Sequence, residues 1–294
     1  MIRRSAAAGG WGVVGVVALV VLWEAYKWLG PVNGVVIGGE DGLRILPRTN
    51  DRAMPHVADM IGRLFDPLSG ASTPPLWVAV AGAGLVTLGI AVVGWIIGVA
   101  VGIAFALLMQ RWRVAERGLL PWTVVSQTVP LIAFAPLVAR IGSQIDRAGV
   151  VPWPQWLSVA VIASYLAFFP VSIGALRGLS SPDTIHLDLM RSYAAGYGQT
   201  LRRLRFPSAV PYLMPAIRLA AANAVVGVVV AEVSIGMRGG LGRMLLQTAQ
   251  SASADPALPW GPIFGAVLLG LVVAGVVALL GGGLRRYRRG EASA

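Results

Sequence analysis

Long runs of apolar residues, separated by polar or charged loops, dominate the pattern along the chain. Each run is apolar on every side, whereas the strands of a membrane barrel alternate apolar and polar residues. A helix needs about 20 apolar residues to cross roughly 30 Å of hydrocarbon. The pattern therefore predicts an all-α integral membrane protein with about six transmembrane helices. The predicted spans lie near Trp11–Trp28, Leu76–Met109, Leu119–Ile141, Trp156–Leu176, Tyr212–Ser234 and Gly261–Leu284.

The first run follows Arg3 and Arg4, as the apolar core of a signal peptide would. No small-x-small cleavage site follows it, and the aromatic residues at its end are typical of a membrane interface. We therefore expect a retained span that ends in an aromatic belt. The belt residues are Trp23, Tyr26 and Trp28.

The composition agrees with a membrane protein. The 294 residues are 56% hydrophobic and 13% charged, whereas a soluble domain is about 45–50% apolar and about 25% charged. Cysteine is absent, which excludes disulfides and thiolate metal sites. His56 and His186 fall in loops predicted on opposite sides, so we expect two solvated histidines and no metal site. The spacing Gly94-Gly98-Gly102 predicts a helix that packs closely against another.

The basic residues predict the orientation. The net charge of +11 suggests nucleic acid as a partner, but cytoplasmic loops of membrane proteins also collect Lys and Arg. One set of loops and tails carries 15 of the 24 basic residues and four acidic ones. We therefore predict that both termini are cytoplasmic, and a nucleic-acid partner becomes unnecessary. The 15 residues are Arg3, Arg4, Arg111, Arg113, Arg117, Arg177, Arg191, Arg202, Arg203, Arg205, Arg218, Arg285, Arg286, Arg288 and Arg289.

The predicted external loop Pro31–Pro75 contains a short amphipathic stretch. Within Met54–Phe65, four apolar residues recur at helical spacing, which predicts an interfacial helix. They are Val57, Ile61, Leu64 and Phe65.

The predicted cytoplasmic loop Arg177–Pro211 is basic and 35 residues long, a length that usually has a function. Ser181-Pro182-Asp183-Thr184 is typical of a helix start. Gly196 and Gly198 predict a bend between two short helices. An apolar stripe is predicted from Leu189, Tyr193, Tyr197 and Leu201, and a turn back into the bilayer from Pro207, Pro211 and Pro215.

Two interpretations of this loop remain open from its residues alone. A basic amphipathic helix can lie on anionic lipid, or it can dock into a groove on a partner protein. The bend and the aromatic stripe favour docking.

The segment Asp188–Pro207 resembles the EAA loop of ABC-importer permeases. That motif reads Glu-Ala-Ala, a glycine a few residues on, and a hydrophobic-x-Leu-Pro ending. Asp188 stands at the position of the Glu, Ala194 at that of the Gly, and Phe206-Pro207 at that of the Leu-Pro. Leu189-Met190 replace the two alanines.

Two further segments resemble the nitrate/sulfonate/taurine-type branch of that family. Pro130–Pro136 is similar to its Pro-rich third span. Ala231-Glu232, followed by Gly239–Gly242, is similar to the Ala-Glu…Gly-Leu-Gly pattern at the end of its fifth span. The resemblance runs in order over residues 76–284. The first 75 residues fit only in outline, and residues 34–51 and 144–155 stand out as insertions.

The resemblance implies a pore of two permease chains, identical or related, in the lipid bilayer. Two ABC ATPase subunits dock beneath, and a solute-binding protein delivers substrate from outside. Residues 1–75 would hold the first span and the external loop, 76–284 the permease core with its coupling loop 177–211, and 285–294 a basic tail. The expected ATPase-coupling residues are Asp188, Arg191, Tyr193, Ala194, Gly196, Tyr197, Leu201, Arg202 and Pro207.

The chain itself lacks the Gly-x-x-x-x-Gly-Lys-Ser/Thr phosphate loop, and its only lysine is Lys27. We therefore expect no cofactor in this chain and no enzymatic activity, with ATP and Mg bound by the partner ATPase. The resemblance implies small solutes such as sulfonates, nitrate, bicarbonate or vitamin precursors.

The expected residues of the substrate pathway or gate lie near the third span and at the end of the fifth. A transport role and a structural role stay open for each group. Pro130 and Pro136 are expected to break the third span, and the residues beside this break either line a cavity or bond back to their own backbone. The carboxyl of Glu232 either gates the path, or snorkels outwards, or pairs with Arg238. The expected pathway or gate residues are Ser126, Gln127, Thr128, Pro130, Pro136 and Glu232.

An ion-coupled secondary transporter is the alternative class. Such a protein places ion ligands near the middle of the membrane, whereas the clear spans here are almost free of acidic residues. A secondary transporter would also leave the long basic loop without a role.

Overall fold

The structure, a computed structural model, describes residues 2–37, 43–70 and 72–283. It is mostly helical, in agreement with the predicted class; the basic tail 285–294 lies outside the described residues. The helices are α1 Ile2–Leu29, α2 Val57–Arg63, α3 Leu76–Arg111, α4 Arg113–Ser126, α5 Leu131–Arg147, α6 Gln155–Leu179, α7 Thr184–Ser192, α8 Tyr197–Thr200, α9 Phe206–Ile235, α10 Leu241–Gln250 and α11 Trp260–Gly283. A π-helical segment, Leu201–Arg205, joins α8 to α9.

Four helices within the described residues are long and apolar enough to cross a membrane: Leu76–Arg111, Gln155–Leu179, Tyr197–Ile235 and Trp260–Leu279. The pair α4 and α5, bent by 106°, is a fifth candidate if it forms one span. The helix α1 coincides with the first predicted span, and its crossing stays a prediction, as do the count of six and the side of each terminus.

The bend between α4 and α5 corrects the expectation that two prolines interrupt the third span. Pro130 is extended and directly precedes α5, so the break falls there. Pro136 instead lies inside α5, which runs on to Arg147. Inside a helix, Pro136 has no N–H to donate to the carbonyl four residues earlier. The helix α5 continues despite this missing hydrogen bond.

The chain forms two compact units. The first consists of Met1–Ala81 and Leu245–Phe264, and the second of Gly82–Met244 and Gly265–Ala294. The late segment Leu245–Phe264 therefore belongs with the beginning of the chain, an arrangement that the sequence did not indicate.

The first unit contains a small hairpin and α2. The strands β1 (Val35–Ile37) and β2 (Leu43–Leu46) pair antiparallel within the expected insertion. The helix α2 lies within the stretch predicted to form an interfacial helix. Met60 is buried towards the unit, whereas Ile61 and Phe65 of the predicted apolar face are exposed, and the contact of that face with the membrane stays a prediction.

Polar ties also hold the first unit together. The ammonium of Lys27 donates to Asp51 at 2.7 Å, and Arg63 Nε donates to Asp255 at 2.7 Å. The expectation that His56 is merely solvated is wrong, since its Nδ1 lies 2.8 Å from a carboxylate oxygen of Glu24.

The second unit is built on close approach between α3, α6 and α9. A Cβ added at Gly94, Gly98 or Gly102 would meet backbone atoms of α6 at 2.7–2.8 Å. Along the other side of α6, Gly174 and Gly178 admit Ala216 and Ala209 of α9. The predicted packing role of the three glycines of α3 is therefore confirmed.

We predict that Gly98→Ala lowers the unfolding temperature, because the new methyl group would come within 2.8 Å of the Ser164 carbonyl oxygen. Overpacking of this kind costs about 1–3 kcal/mol. The matched control is Gly89→Ala on the same helix, where a Cβ meets nothing within 4 Å. The control should gain up to about 1 kcal/mol from helix propensity. Thermal unfolding followed by tryptophan fluorescence measures both variants, and equal shifts would contradict the packing.

Candidate functional site

The predicted cytoplasmic loop begins with an exposed helix. The helix α7 starts after the N-cap Asp183, two residues later than the predicted Ser cap, and it buries none of its residues. Ile185 in this helix and Tyr193, which directly follows its end, are each 77% exposed. Asp188 and Arg191 pair with each other across one turn at 3.0 Å, where both side chains are solvated. The loop therefore presents a free apolar surface flanked by a local ion pair.

The end of α7 is a tight turn that places Ala194 in a left-handed conformation, with φ of 52°. The N–H of Ala195 donates to the Met190 carbonyl at 3.0 Å, and the N–H of Ala194 donates to Arg191 at 2.8 Å. This pair of bonds is the Schellman arrangement, whose left-handed position usually holds glycine. The geometry gives a physical reason for the glycine that the EAA motif carries at the position of Ala194.

The second half of the loop differs from the prediction. Tyr197–Ile235 forms one continuous helical run, so no turn into the bilayer occurs at Pro207, Pro211 and Pro215, and the stripe from Leu189 to Leu201 is not on one helix. The π-helical segment ends at Arg205, two residues before Pro207. In a π-helical turn an N–H bonds to the carbonyl five residues earlier, not four. Pro207 has no N–H to give to the carbonyl four residues earlier, so the wider turn avoids the bond that the proline cannot make.

Tyr197 and Leu201 both contact the body of the second unit. The Tyr197 hydroxyl donates to Gln110 at 2.7 Å, and Arg111 lies 4.9 Å from the ring centre. Leu201 packs on a buried cluster that includes Met109 and Leu179. The loop is thus braced against the end of α3. Of the nine expected coupling residues, Leu201 is half-buried and the other eight stay exposed, Tyr197 at 42%.

Glu232 is fully buried near the end of α9. Its carboxyl accepts the Gly242 N–H at 2.7 Å and the Thr87 hydroxyl at 2.9 Å. The same hydroxyl oxygen accepts the Leu241 N–H at 2.9 Å. The expectations that Glu232 snorkels outwards or pairs with the exposed Arg238 are therefore wrong, because hydrogen bonds from α3 and α10 hold the carboxyl inside.

The glycines after Glu232 let the chain fold over this carboxyl. Gly236 and Gly239 have φ of 71° and 93°, which favour glycine. A Cβ on Gly240 would overlap the Glu232 carboxyl, and one on Gly242 would overlap the α9 backbone. The Ala-Glu…Gly-Leu-Gly pattern therefore encodes one structure, a glycine turn closed on a buried carboxyl.

The polar residues at the break between α4 and α5 bond mainly to backbone. The hydroxyls of Ser126 and Thr128 each donate at 2.8 Å to the carbonyl three residues earlier. The Tyr165 hydroxyl of α6 donates to the Ser126 carbonyl oxygen, and the Gln127 amide reaches the Ser126 hydroxyl at 3.5 Å. Among the described side chains, hydrogen bonds tie this break to α6. Other hydrogen bonds tie Glu232 to α3 and α10. These bonds therefore do not join the residues at the break to Glu232.

Sequence reasoning missed Thr87 and the charged pairs of the first unit. Thr87 is a lone hydroxyl in an apolar run, and nothing in its neighbours signals its partner. Lys27 carried a signal, because a lysine within an apolar run requires an acidic partner. By its hydrogen bond and charge, the Lys27 ammonium lowers the pKa of the Asp51 carboxyl below its ordinary value.

The similarity to known proteins covers most of the second unit. The family model described as binding-protein-dependent transport system inner membrane component matches residues 98–287. This range includes the exposed helix α7, its left-handed turn and Glu232, and it leaves out Thr87.

Two relatives illustrate the similarity. The chain is 34% identical over 191 residues to the formylaminopyrimidine transport permease protein ThiX of Halalkalibacterium halodurans, which covers 63% of this chain and 69% of that protein. It is 26% identical over 177 residues to SsuC of Bacillus subtilis, named as a candidate aliphatic sulfonates transport permease protein, which covers 60% of each chain. The chain thus spans about three fifths to two thirds of the relatives' lengths.

We predict that Thr87→Val destabilises the protein by about 1–3 kcal/mol, because it leaves a buried carboxyl oxygen and the Leu241 N–H without their partner. Thr87→Ser keeps the hydroxyl and should restore most of the loss. Thermal unfolding in one detergent compares the two variants. If serine and valine cost the same, the methyl group of Thr87 and not its hydroxyl would be what matters.

We also predict that Ala194→Gly strengthens the closing turn of α7 and that Ala194→Val weakens it. A left-handed residue with a Cβ costs about 1–2 kcal/mol, and β-branching adds to that cost. Hydrogen exchange at the Ala194 and Ala195 amides is the measurement. The control pair Ala195→Gly and Ala195→Val changes a neighbour without positive φ and should show a smaller difference. Equal effects at both positions would contradict the assigned turn.

Proposed function

The chain belongs to the family of binding-protein-dependent transport system inner membrane components, and on that premise we propose that it is the transmembrane permease subunit of an ABC importer. It is a multi-pass protein of the plasma membrane and a transport subunit. In our proposal it forms part of the substrate pathway and couples that pathway to a separate ATPase.

The exposed helix α7 is the observation that carries the coupling role. It buries none of its own residues, ends in a fixed turn, and shows an uncovered aromatic side chain at Tyr193. Exposed aromatic residues of this kind are typical anchors in protein interfaces. We assign the groove that receives α7 to the ATPase, and place Tyr193 in its centre with Asp188 and Arg191 at the rim.

A rigid connection supports the coupling role. Tyr197–Ile235 is one helical run, so the residues after the closing turn of α7 share a helix with Glu232. Tyr197 braces the inner end of this run against α3, and Glu232 fixes its outer end to Thr87 of the same α3. A displacement at α7 would therefore reach both ends of the contact between α3 and α9. Transport needs two alternative arrangements of these helices, and such a displacement would favour one of them.

The remaining partners follow from the family. We propose a second permease chain, identical or related, across the pore, and a solute-binding protein on the external side. ATP and Mg would be bound by the ATPase subunits, and this chain would contribute no nucleotide ligand.

The substrate in our proposal is a small solute delivered by the binding protein. The names of the two relatives refer to a formylaminopyrimidine and to aliphatic sulfonates, which favours the vitamin-precursor and sulfonate types over larger molecules. Nitrate and bicarbonate are further candidates. The ligand that stays bound to the copurified binding protein identifies the substrate directly.

We predict that Tyr193→Asp removes the ATPase from the complex. Purification of a tagged chain from native membranes in mild detergent should bring down an ATPase with the unchanged protein and about tenfold less with the variant, a loss typical of an interface anchor. ATP-dependent uptake should fall in parallel. Val150→Asp is the control, since it changes another exposed apolar residue, which lies in the insertion 144–155 and outside the coupling loop.

Full ATPase recovery and uptake with a folded Tyr193→Asp protein would overturn the proposed contact. If the unchanged chain brings down no ATPase and uptake follows an ion gradient, the importer proposal itself fails and ion-coupled secondary transport replaces it.

A further inference from the structure

A groove in the second unit runs between α9 and α11. It has a volume of about 510 Å³, far above the roughly 30 Å³ that one water occupies in the liquid. Its floor is formed by small and branched apolar side chains, and one residue carries charge. The lining includes Arg218, Val226, Val230, Ala266, Gly270 and Ala274.

Arg218 lies at one end of this groove. The stretch Leu219–Ile235 beyond it contains a single charged residue, Glu232, and spans about 25 Å at 1.5 Å per residue. That length is close to the roughly 30 Å of hydrocarbon in a bilayer. The guanidinium therefore sits near the level of lipid phosphates, and the groove extends from it into the apolar layer.

Arg218 makes no ion pair with any described residue, and its side chain is exposed. The long apolar helices of this unit, α3 from Gly82, α6, α9 and α11, contain one acidic residue, Glu232. Its carboxyl is already bonded to Thr87 and Gly242. A second copy of this chain packed into the groove would therefore bring no free carboxylate from these helices to meet Arg218.

We propose that this groove binds an anionic phospholipid, with its phosphate on Arg218 and one acyl chain along the seam between α9 and α11. A phosphate supplies the charge that the protein leaves unpaired, and a guanidinium binds it with two parallel hydrogen bonds. An acyl chain matches a groove whose remaining lining is apolar. The lipid would fill the space between two helices that the side chains leave open.

Four variants of the full chain test the proposal, each added to phosphatidylglycerol in mild detergent and examined by native mass spectrometry. Arg218→Gln removes the charge, and its control is Arg238→Gln, another exposed arginine outside the groove. Gly270→Phe fills the groove, and its control is Gly275→Phe. A Cβ at either glycine meets nothing within 4 Å, but only Gly270 lines the groove.

We expect Arg218→Gln to reduce the retained phosphatidylglycerol by about fivefold, the effect of one basic residue near a lipid surface. Gly270→Phe should also reduce it, because the ring occupies the place of the acyl chain. Both controls should retain as much lipid as the unchanged chain. Circular dichroism and unfolding temperature confirm that all four variants are folded, and a misfolded Gly270→Phe leaves the arginine pair as the deciding comparison.

Three results would overturn the proposal. Retention unaffected by Arg218→Gln would show only non-specific surrounding lipid. An equal loss in Gly275→Phe would show a general effect of bulk on this helix. If Gly270→Phe instead turns a dimer into monomers and leaves lipid retention unchanged, the groove is a contact between copies of the chain.

Discussion

A carboxyl group buried among apolar helices must be hydrogen-bonded, and this constraint organises the second unit. Glu232 meets it with the Thr87 hydroxyl of α3 and the Gly242 N–H at the start of α10. These bonds determine where α9 ends, how the glycine turn folds back, and which side of α3 lies against the turn. The turn can approach so closely only because Gly240 and Gly242 carry no side chain. The carboxyl is an anchor that joins α3, α9 and the start of α10 in this structure.

Much of the fold could be predicted from hydropathy alone, because a span is specified by some twenty consecutive residues and needs no knowledge of its neighbours. The glycine spacing of α3 likewise predicted close packing, since only small residues let two helices approach. The break after Ser126 was predicted from Pro130, but Pro136 did not add a second one. The assignment of Leu245–Phe264 to the first unit depends on contacts between distant parts of the chain, such as Arg63 with Asp255, for which the local pattern holds no signal.

The candidate site was predictable where its chemistry is local. A helix at the start of the loop was predicted from Ser181–Thr184 and is found as α7, although its cap is Asp183. Its left-handed turn falls at the motif position that normally holds glycine. The roles of Tyr193 and Tyr197 could not be separated from the sequence, because both belong to the same apparent stripe. Only the tertiary structure shows that Tyr197 bonds to Gln110 and is 42% exposed, whereas Tyr193 is 77% exposed. Similarly, the position of Glu232 near the end of an apolar run suggested an interfacial group, and the buried hydroxyl that retains it lies 145 residues earlier.

The ion pair of Arg63 with Asp255 has a consequence for biosynthesis. The two residues are 192 positions apart, and at about 5–20 residues per second a ribosome needs roughly 10–40 s to add that length. The early part of the first unit must therefore wait, already made, until nearly the whole chain has been inserted. During this interval Arg63 lacks its carboxylate and Trp23 lacks the Trp260 ring that it contacts at 5.1 Å. The part of the protein synthesised first is thus among the last to reach its final structure.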